Sequence, residues 1–136
     1  MPQLGFIGAG NMAEAIIAGI IRRELFAPGD IIAFDIAPQR MEAMTTRFGI
    51  VAAGSLEDVA SSAATIILAV KPGVVQTVVR PLKEHVKGKL VISIAAGVSI
   101  ASIQALIGPE ARVIRVMPNT PALVMEGVSC LACSQT

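Results

Sequence analysis

GFIGAGNMAEAI, running from Gly5 to Ile16, is the stretch on which the reading of this chain turns. An apolar run passes through two glycines into a helix-forming segment. It is either a strand that happens to precede a helix or a strand built to deliver a phosphate to the N-terminus of that helix. Gly8-Ala9-Gly10-Asn11-Met12-Ala13 places G-x-G-x-x-A at the junction. In that setting the first glycine permits the tight turn, the second removes a Cβ that would block a diphosphate, and the small Ala13 lets helix and strand pack closely. Glycines also turn strands into helices where no ligand binds, so the remainder of the chain has to decide.

Short apolar runs alternate with helical segments along the whole length. QLGFIG leads into a helix from about Asn11 to Arg23; DIIAF leads into one that opens at Pro38 and ends at Gly49, with proline just inside the start and glycine just past the end. After GIVAA, Ser55 with Asp58 three residues on has the form of a capping box. TIILAV precedes an apolar helical stretch from Val74 that Pro81 interrupts. KLVISI passes through Ser99, an N-cap residue, into IASIQALIG, and RVIRVM and GVSCLA complete the strands. TIILAV and LVISI are nearly continuous in apolar residues, the pattern of strands covered on both faces by helices. The expected fold is α/β, a Rossmann-type doubly wound parallel sheet with helices on both faces, forming one dinucleotide-binding domain over residues 1–136.

Composition narrows the partners. With 136 residues, 54% of them hydrophobic, the chain has the material for one core and no room for a second full domain. A net charge of +1, spread along the chain, leaves no basic stripe for nucleic acid. The start MPQLGFIGAG has no charged segment, and its apolar run is broken by glycines. It reads neither as a signal peptide nor as a membrane span of about 20 residues, so the cytoplasm is the expected compartment. Cys130 and Cys133 form C-x-x-C without a second pair. Residues three apart on a strand point to opposite faces, which reads as ordinary strand or core cysteines rather than half of a metal site. His85, in KEHVKGK, is expected to be solvated.

The acidic residue expected after the second strand is Asp35, 25 positions beyond Gly10. A carboxylate there accepts from a ribose 2′-OH and repels a 2′-phosphate, favouring NADH over NADPH. Arg40 offers a guanidinium fork that can pair with a phosphate. Three more stretches follow predicted strands at the edge where open α/β sheets bind ligands: AVKP (Ala69, Val70, Lys71, Pro72), SIAAG (ending Ala95, Ala96, Gly97) and MPNTP (Met117, Pro118, Asn119, Thr120, Pro121). The small residues of Ala95-Ala96-Gly97 let backbone approach a nicotinamide. Lys71 is either a cation near the cofactor's ribose or phosphate or a solvated loop residue. Asn119 and Thr120 are either substrate-edge groups or loop caps.

GFIGAGNMAEAI, AVKPG, SIAAGVSI and RVMPNTPALV, in this order and spacing, closely resemble pyrroline-5-carboxylate reductase, and the resemblance covers essentially the whole chain. It implies hydride transfer from NAD(P)H to the C=N carbon of 1-pyrroline-5-carboxylate, giving L-proline. Carried over position by position, it implies cofactor contacts at Ile7, Gly8, Ala9, Gly10, Asn11, Met12, Ala69 to Pro72 and Ala95 to Gly97. Family members often carry a small neutral or polar residue where this chain has Asp35, and many use NADPH. The resemblance further implies a C-terminal helical domain, absent from this chain, that forms the homo-oligomer and supplies most of the substrate pocket. No strong general acid is expected, because a protonated imine is already electrophilic. The alternatives are another dehydrogenase of the same fold acting on a hydroxyacid, a reduced-deazaflavin:NADP reductase, or a module that senses NAD(H) without catalysis.

Overall fold

Each apolar run read from the sequence contributes a strand, and the segments that join the first six form helices. The computed structural model describes residues 2–117 and 130–134. In chain order the elements are β1 (Leu4–Ile7), α1 (Asn11–Arg22), β2 (Ile31–Phe34), α2 (Pro38–Phe48), β3 (Val51–Ala52), α3 (Leu56–Ser62), β4 (Thr65–Leu68), α4 (Val75–Val79), β5 (Leu90–Ser93), α5 (Ile100–Ile107), β6 (Arg112–Met117) and β7 (Cys130–Cys133). The strands lie in one sheet in the order β3-β2-β1-β4-β5-β6-β7. Chain order reverses between β1 and β4, the topological switch point of a doubly wound sheet.

β1 to β6 pair in parallel, as expected. β7 departs from that expectation and runs antiparallel to β6, with Met117 opposite Cys130 and Ile114 opposite Cys133. An apolar run carries no sign of its direction, and an antiparallel edge strand on an otherwise parallel sheet is common in such folds. Cys133 sits on this strand as a free, exposed thiol.

Alternation along the strands sends side chains to two separate cores. Leu4, Phe6, Ile31, Ala33 and Ile67 pack against Ala13 and Ile17 of α1 and Met41 and Met44 of α2. Ile7, Ile32, Ile66, Leu68, Val91 and Val113 pack against α3, α4 and α5 through Val59, Val75, Val79, Ile103 and Ile107. The second core depends on Gly5, because a Cβ there would lie 2.6 Å from Val59 Cγ1 and 2.8 Å from Ala63 Cβ. Glycine in β1 is what lets α3 lie close against the sheet.

The helix ends follow the punctuation in the sequence. Ser55 Oγ accepts from the Asp58 N–H at 3.1 Å and Ser99 Oγ accepts from the Ser102 N–H at 3.1 Å. α2 starts on Pro38 and stops at Gly49, which is left-handed at φ 73° and donates its N–H to Thr45 O. α4 ends where Pro81 forces a 3₁₀ turn over Arg80–Leu82. Lys89 reaches back to donate to the Ala60 and Ser61 carbonyls at the C-terminus of α3, and burial holds its ammonium below the usual lysine range. His85, expected in solvent, is half-buried, and its Nδ1 is shut off from water with no partner among the described residues. No helix among the described residues is long and apolar enough to cross a membrane.

Two substitutions test this packing. Glu24 follows α1 at φ 55°, a conformation that costs a side-chain-bearing residue energy and glycine almost none. Glu24→Gly is expected to raise unfolding stability by about 0.5–1 kcal/mol in denaturant titration. Gly5→Ala is expected to lower it by about 1–3 kcal/mol through overpacking against Val59 and Ala63.

Candidate functional site

At the C-terminal end of β1 two glycines are present for different reasons. Gly8 has φ +101°, and a Cβ there would lie 2.4 Å from the Ala69 carbonyl oxygen. The fold itself requires this glycine, whose N–H donates to Phe34 O at 2.9 Å and so ties the turn to β2. Gly10 has φ −79° and ψ −172°, an extended conformation open to any residue. A Cβ built on Gly10 would meet only Arg40 Nη1, 3.8 Å away. Nothing in the packing of the described residues explains the lack of a side chain there. Gly10 is also the N-cap of α1 and supplies no side-chain hydrogen bond to its first turn, so amide donors at the helix start are left for an outside acceptor.

Asp35 closes β2 and faces this turn. Its Oδ2 accepts from the Ala9 N–H at 2.8 Å and its Oδ1 accepts from the Ala37 N–H at 2.8 Å. Arg40, in the first turn of α2, donates from Nη1 to the Ala9 carbonyl at 3.4 Å. Asp35 and Arg40, singled out by sequence spacing, are therefore brought together on either side of Ala9. Ala9 is itself buried in the core beneath α1 and α2. Two smaller cavities, of about 150 and 240 Å³, flank α1 nearby and share Glu14 and Arg47, which form an ion pair across the two helices.

The other predicted stretches take the same edge of the sheet. The Ala69 N–H donates to Ile7 O at 2.8 Å, fixing the loop after β4 against β1. Val70 is half-buried, and Lys71 and Pro72 are exposed at the start of a 3₁₀ turn. After β5, Ser93 is fully buried and its Oγ accepts from the Ala95 N–H at 3.3 Å. That bond turns the chain so that Ala95 points inward while Ala96 and Gly97 are exposed. Gly97 has φ +74° and open space where a side chain would be. Asn11 is exposed and Met12 half-buried at the start of α1. Met117 ends β6 and is 39% exposed. Pro118, Asn119 and Thr120 lie outside the described residues.

Beside these loops lies an apolar cavity of about 350 Å³ that the motifs alone did not reveal. Phe34, Ile36, Leu56, Val70, Val74 and Val78 line it, with Gly8 and Asp35 at its edge. Ile36 is 91% exposed. The available signal in the sequence was a large aliphatic residue directly after the acidic residue that follows β2. The cavity suits a flat apolar ring, and Asp35 is the one charged residue among the described residues of its lining.

The switch-point loops, the glycine turn at the start of a helix and the acidic residue closing β2 together define a Rossmann-type nucleotide-binding domain. The family model described as NADP oxidoreductase, coenzyme F420-dependent, matches residues 3–97, and the chain belongs to that family. It is similar to the pyrroline-5-carboxylate reductase of Escherichia coli (strain K12), at 41% identity over 93% of this chain and 48% of the relative. It is similar also to that of Pisum sativum, at 40% identity over 95% of this chain and 47% of the relative. Among solved structures, a pyrroline-5-carboxylate reductase from Coxiella burnetii superposes with a TM-score of 0.95 at 31% identity, covering 99% of this chain and 50% of that one. The NADP-bound pyrroline carboxylate reductase of Plasmodium falciparum superposes with a TM-score of 0.88 at 28% identity, covering 99% and 49%. The resemblance read from the motifs is thus borne out, and the chain spans about half the length of the curated relatives it matches.

The two glycines separate in a stability measurement. Gly8→Ala is expected to destabilise the domain by about 2–4 kcal/mol, since a left-handed residue meets backbone it cannot displace. Gly10→Ala is expected to cost about 1 kcal/mol or less, the loss of a favourable N-cap. Thermal or denaturant unfolding of the two variants checks the contrast.

Proposed function

We propose that this chain is the NAD(P)H-binding domain of a pyrroline-5-carboxylate reductase, a cytoplasmic enzyme that reduces 1-pyrroline-5-carboxylate to L-proline. The observation that carries the reading is Gly10. Its missing side chain serves no packing and no unusual backbone angle, and it clears the approach to the start of α1, where a diphosphate fits. The apolar cavity beside it accepts an adenine, with Ile36 and Val74 available to the ring and Asp35 to the ribose. Two relatives support the particular reaction: both are named pyrroline-5-carboxylate reductases and match through more than nine-tenths of this chain. The broader family model stops at residue 97, before MPNTPALV.

The proposed cofactor contacts are Ile7 to Met12, Asp35, Ala69 to Pro72, Ala95 to Gly97, Met117 and Pro118, with Asn119 and Thr120 toward the substrate. NAD(P)H, when bound, supplies the hydride. Gly8 and Gly10 shape the turn, the first amides of α1 would hold the diphosphate, and Ala95-Ala96-Gly97 would give the nicotinamide half a surface without bulky side chains. Because an imine protonated at nitrogen is already electrophilic, no residue of the chain would have to donate a proton to it. Asp35 favours NADH over NADPH through its negative charge beside the 2′ position. A C-terminal helical domain of the complete protein would supply the homo-oligomer contacts and most of the substrate pocket.

The test is pyrroline-5-carboxylate-dependent oxidation of NADH and of NADPH by the complete gene product, with this chain assayed beside it. Turnover by the complete product, faster with NADH, is the expected result. Gly10→Ala is expected to weaken binding of both cofactors by at least about tenfold while the protein stays folded, because the added Cβ stands where the diphosphate approaches. Cofactor binding without turnover would move the assignment to another substrate or to a sensing module, and tight binding retained in Gly10→Ala would remove the glycine-loop site.

A further inference from the structure

Asp35 was read from its position as a partner for a ribose hydroxyl, yet each of its carboxylate oxygens already accepts a backbone N–H in the structure. The Ala9 N–H, 26 residues away in sequence, donates to Oδ2 at 2.8 Å, and the Ala37 N–H donates to Oδ1 at 2.8 Å. The first bond crosses from the loop after β2 to the glycine turn after β1. Arg40 reaches the other peptide group of the same residue, donating from Nη1 to the Ala9 carbonyl at 3.4 Å. The two peptide groups that flank Ala9 are therefore both held from the β2–α2 side. The second of them is the peptide that leads into Gly10 and the start of α1.

We propose that Asp35 is a positioning residue for the glycine turn, holding the Gly8–Ala9 peptide in the orientation that receives the diphosphate. The inference rests on the dinucleotide reading above and adds a second task for the same side chain. An ionised carboxylate is an acceptor only, with about four lone-pair sites. Two are engaged with the backbone, and the remainder can still meet a ribose diol. A turn held in place before the ligand arrives has little left to order on binding. Replacing Asp35 to exchange NADH for NADPH therefore does more than remove a charge: it frees the Ala9 amide and loosens the turn that leads into the first amides of α1, and both cofactors suffer.

Reduced nicotinamide mononucleotide, which has a phosphate but no adenosine ribose, separates the two tasks. The complete gene product and its Asp35→Asn and Asp35→Ala variants are titrated with NADH, NADPH and reduced nicotinamide mononucleotide, and hydrogen–deuterium exchange of the peptide spanning the glycine turn is followed without ligand. All three ligands are expected to weaken by about tenfold or more in Asp35→Ala, the loss of a charge-assisted hydrogen bond. The turn is expected to exchange faster by a comparable factor. Asp35→Asn, whose single oxygen keeps one of the two bonds, falls between. If NADPH and the mononucleotide bind the variants as well as the parent, and exchange in the turn is unchanged, Asp35 serves the ribose alone and the proposal is overturned. A parent protein that binds none of the three ligands overturns the dinucleotide reading itself, and this inference with it.

Discussion

The close approach of backbone around β1 is the constraint on which the rest of the structure depends. β1 lies at the centre of the sheet between β2 and β4, and glycines permit contacts on each side of it. Gly5 admits Val59 and Ala63 from the helical layer above. Gly8 passes so near the Ala69 carbonyl that even one methyl group would collide with backbone. The loops after β1 and β4 therefore meet at the switch point with no side chain between them. A nucleotide lying across that crevice contacts main chain rather than side-chain tips, which demands a rigid backbone. The rigidity comes from hydrogen bonds that cross between strands, from Gly8 to Phe34 and from Ala69 to Ile7.

Much of this was legible in the sequence because local rules and the global fold agree. The seven apolar runs became seven strands, Ser55 and Ser99 became helix caps, and Pro38 with Gly49 bracketed α2. The features that were not legible are those that depend on pairing at a distance. The direction of β7 follows from its neighbour and not from its own residues. Burial of the His85 ring likewise reflects what packs around a polar segment. The need for glycine at Gly5 arises only from Val59 and Ala63 of the layer packed over it. The apolar cavity draws on residues of β2, α3 and α4 that are far apart in the chain, so no single stretch of sequence marks it.

Asp35 shows why spacing fixes a residue's place better than its task. A carboxylate at the end of β2 has the same distance from the glycine turn whether it serves a ribose, a backbone amide or both. Sequence spacing places it, while the hydrogen bonds to Ala9 and Ala37 state what it holds. The same distinction applies to Gly8 and Gly10, identical in the motif and opposite in cause: one is demanded by the protein's own backbone, the other is unexplained until a ligand is considered. Each glycine of the fingerprint therefore answers a separate physical requirement and fails separately when replaced.

The two ends of the proposed nucleotide site differ in how complete they are, which bears on what this chain contributes. The adenosine end has a walled apolar cavity, an acidic residue fixed by two hydrogen bonds and an arginine held against the turn. The nicotinamide end consists of exposed Ala96 and Gly97 and the exposed tip of β6 at Met117. On the face shared with α1 and α2, Ile92 and its neighbour in register, Ile114, remain half-buried. Hydride transfer is favoured by surroundings from which water is excluded. On the reading proposed here, affinity and orientation come from the adenosine end, which this chain builds in full. On the same reading, exclusion of water at the reacting carbon is not a task of the adenosine end.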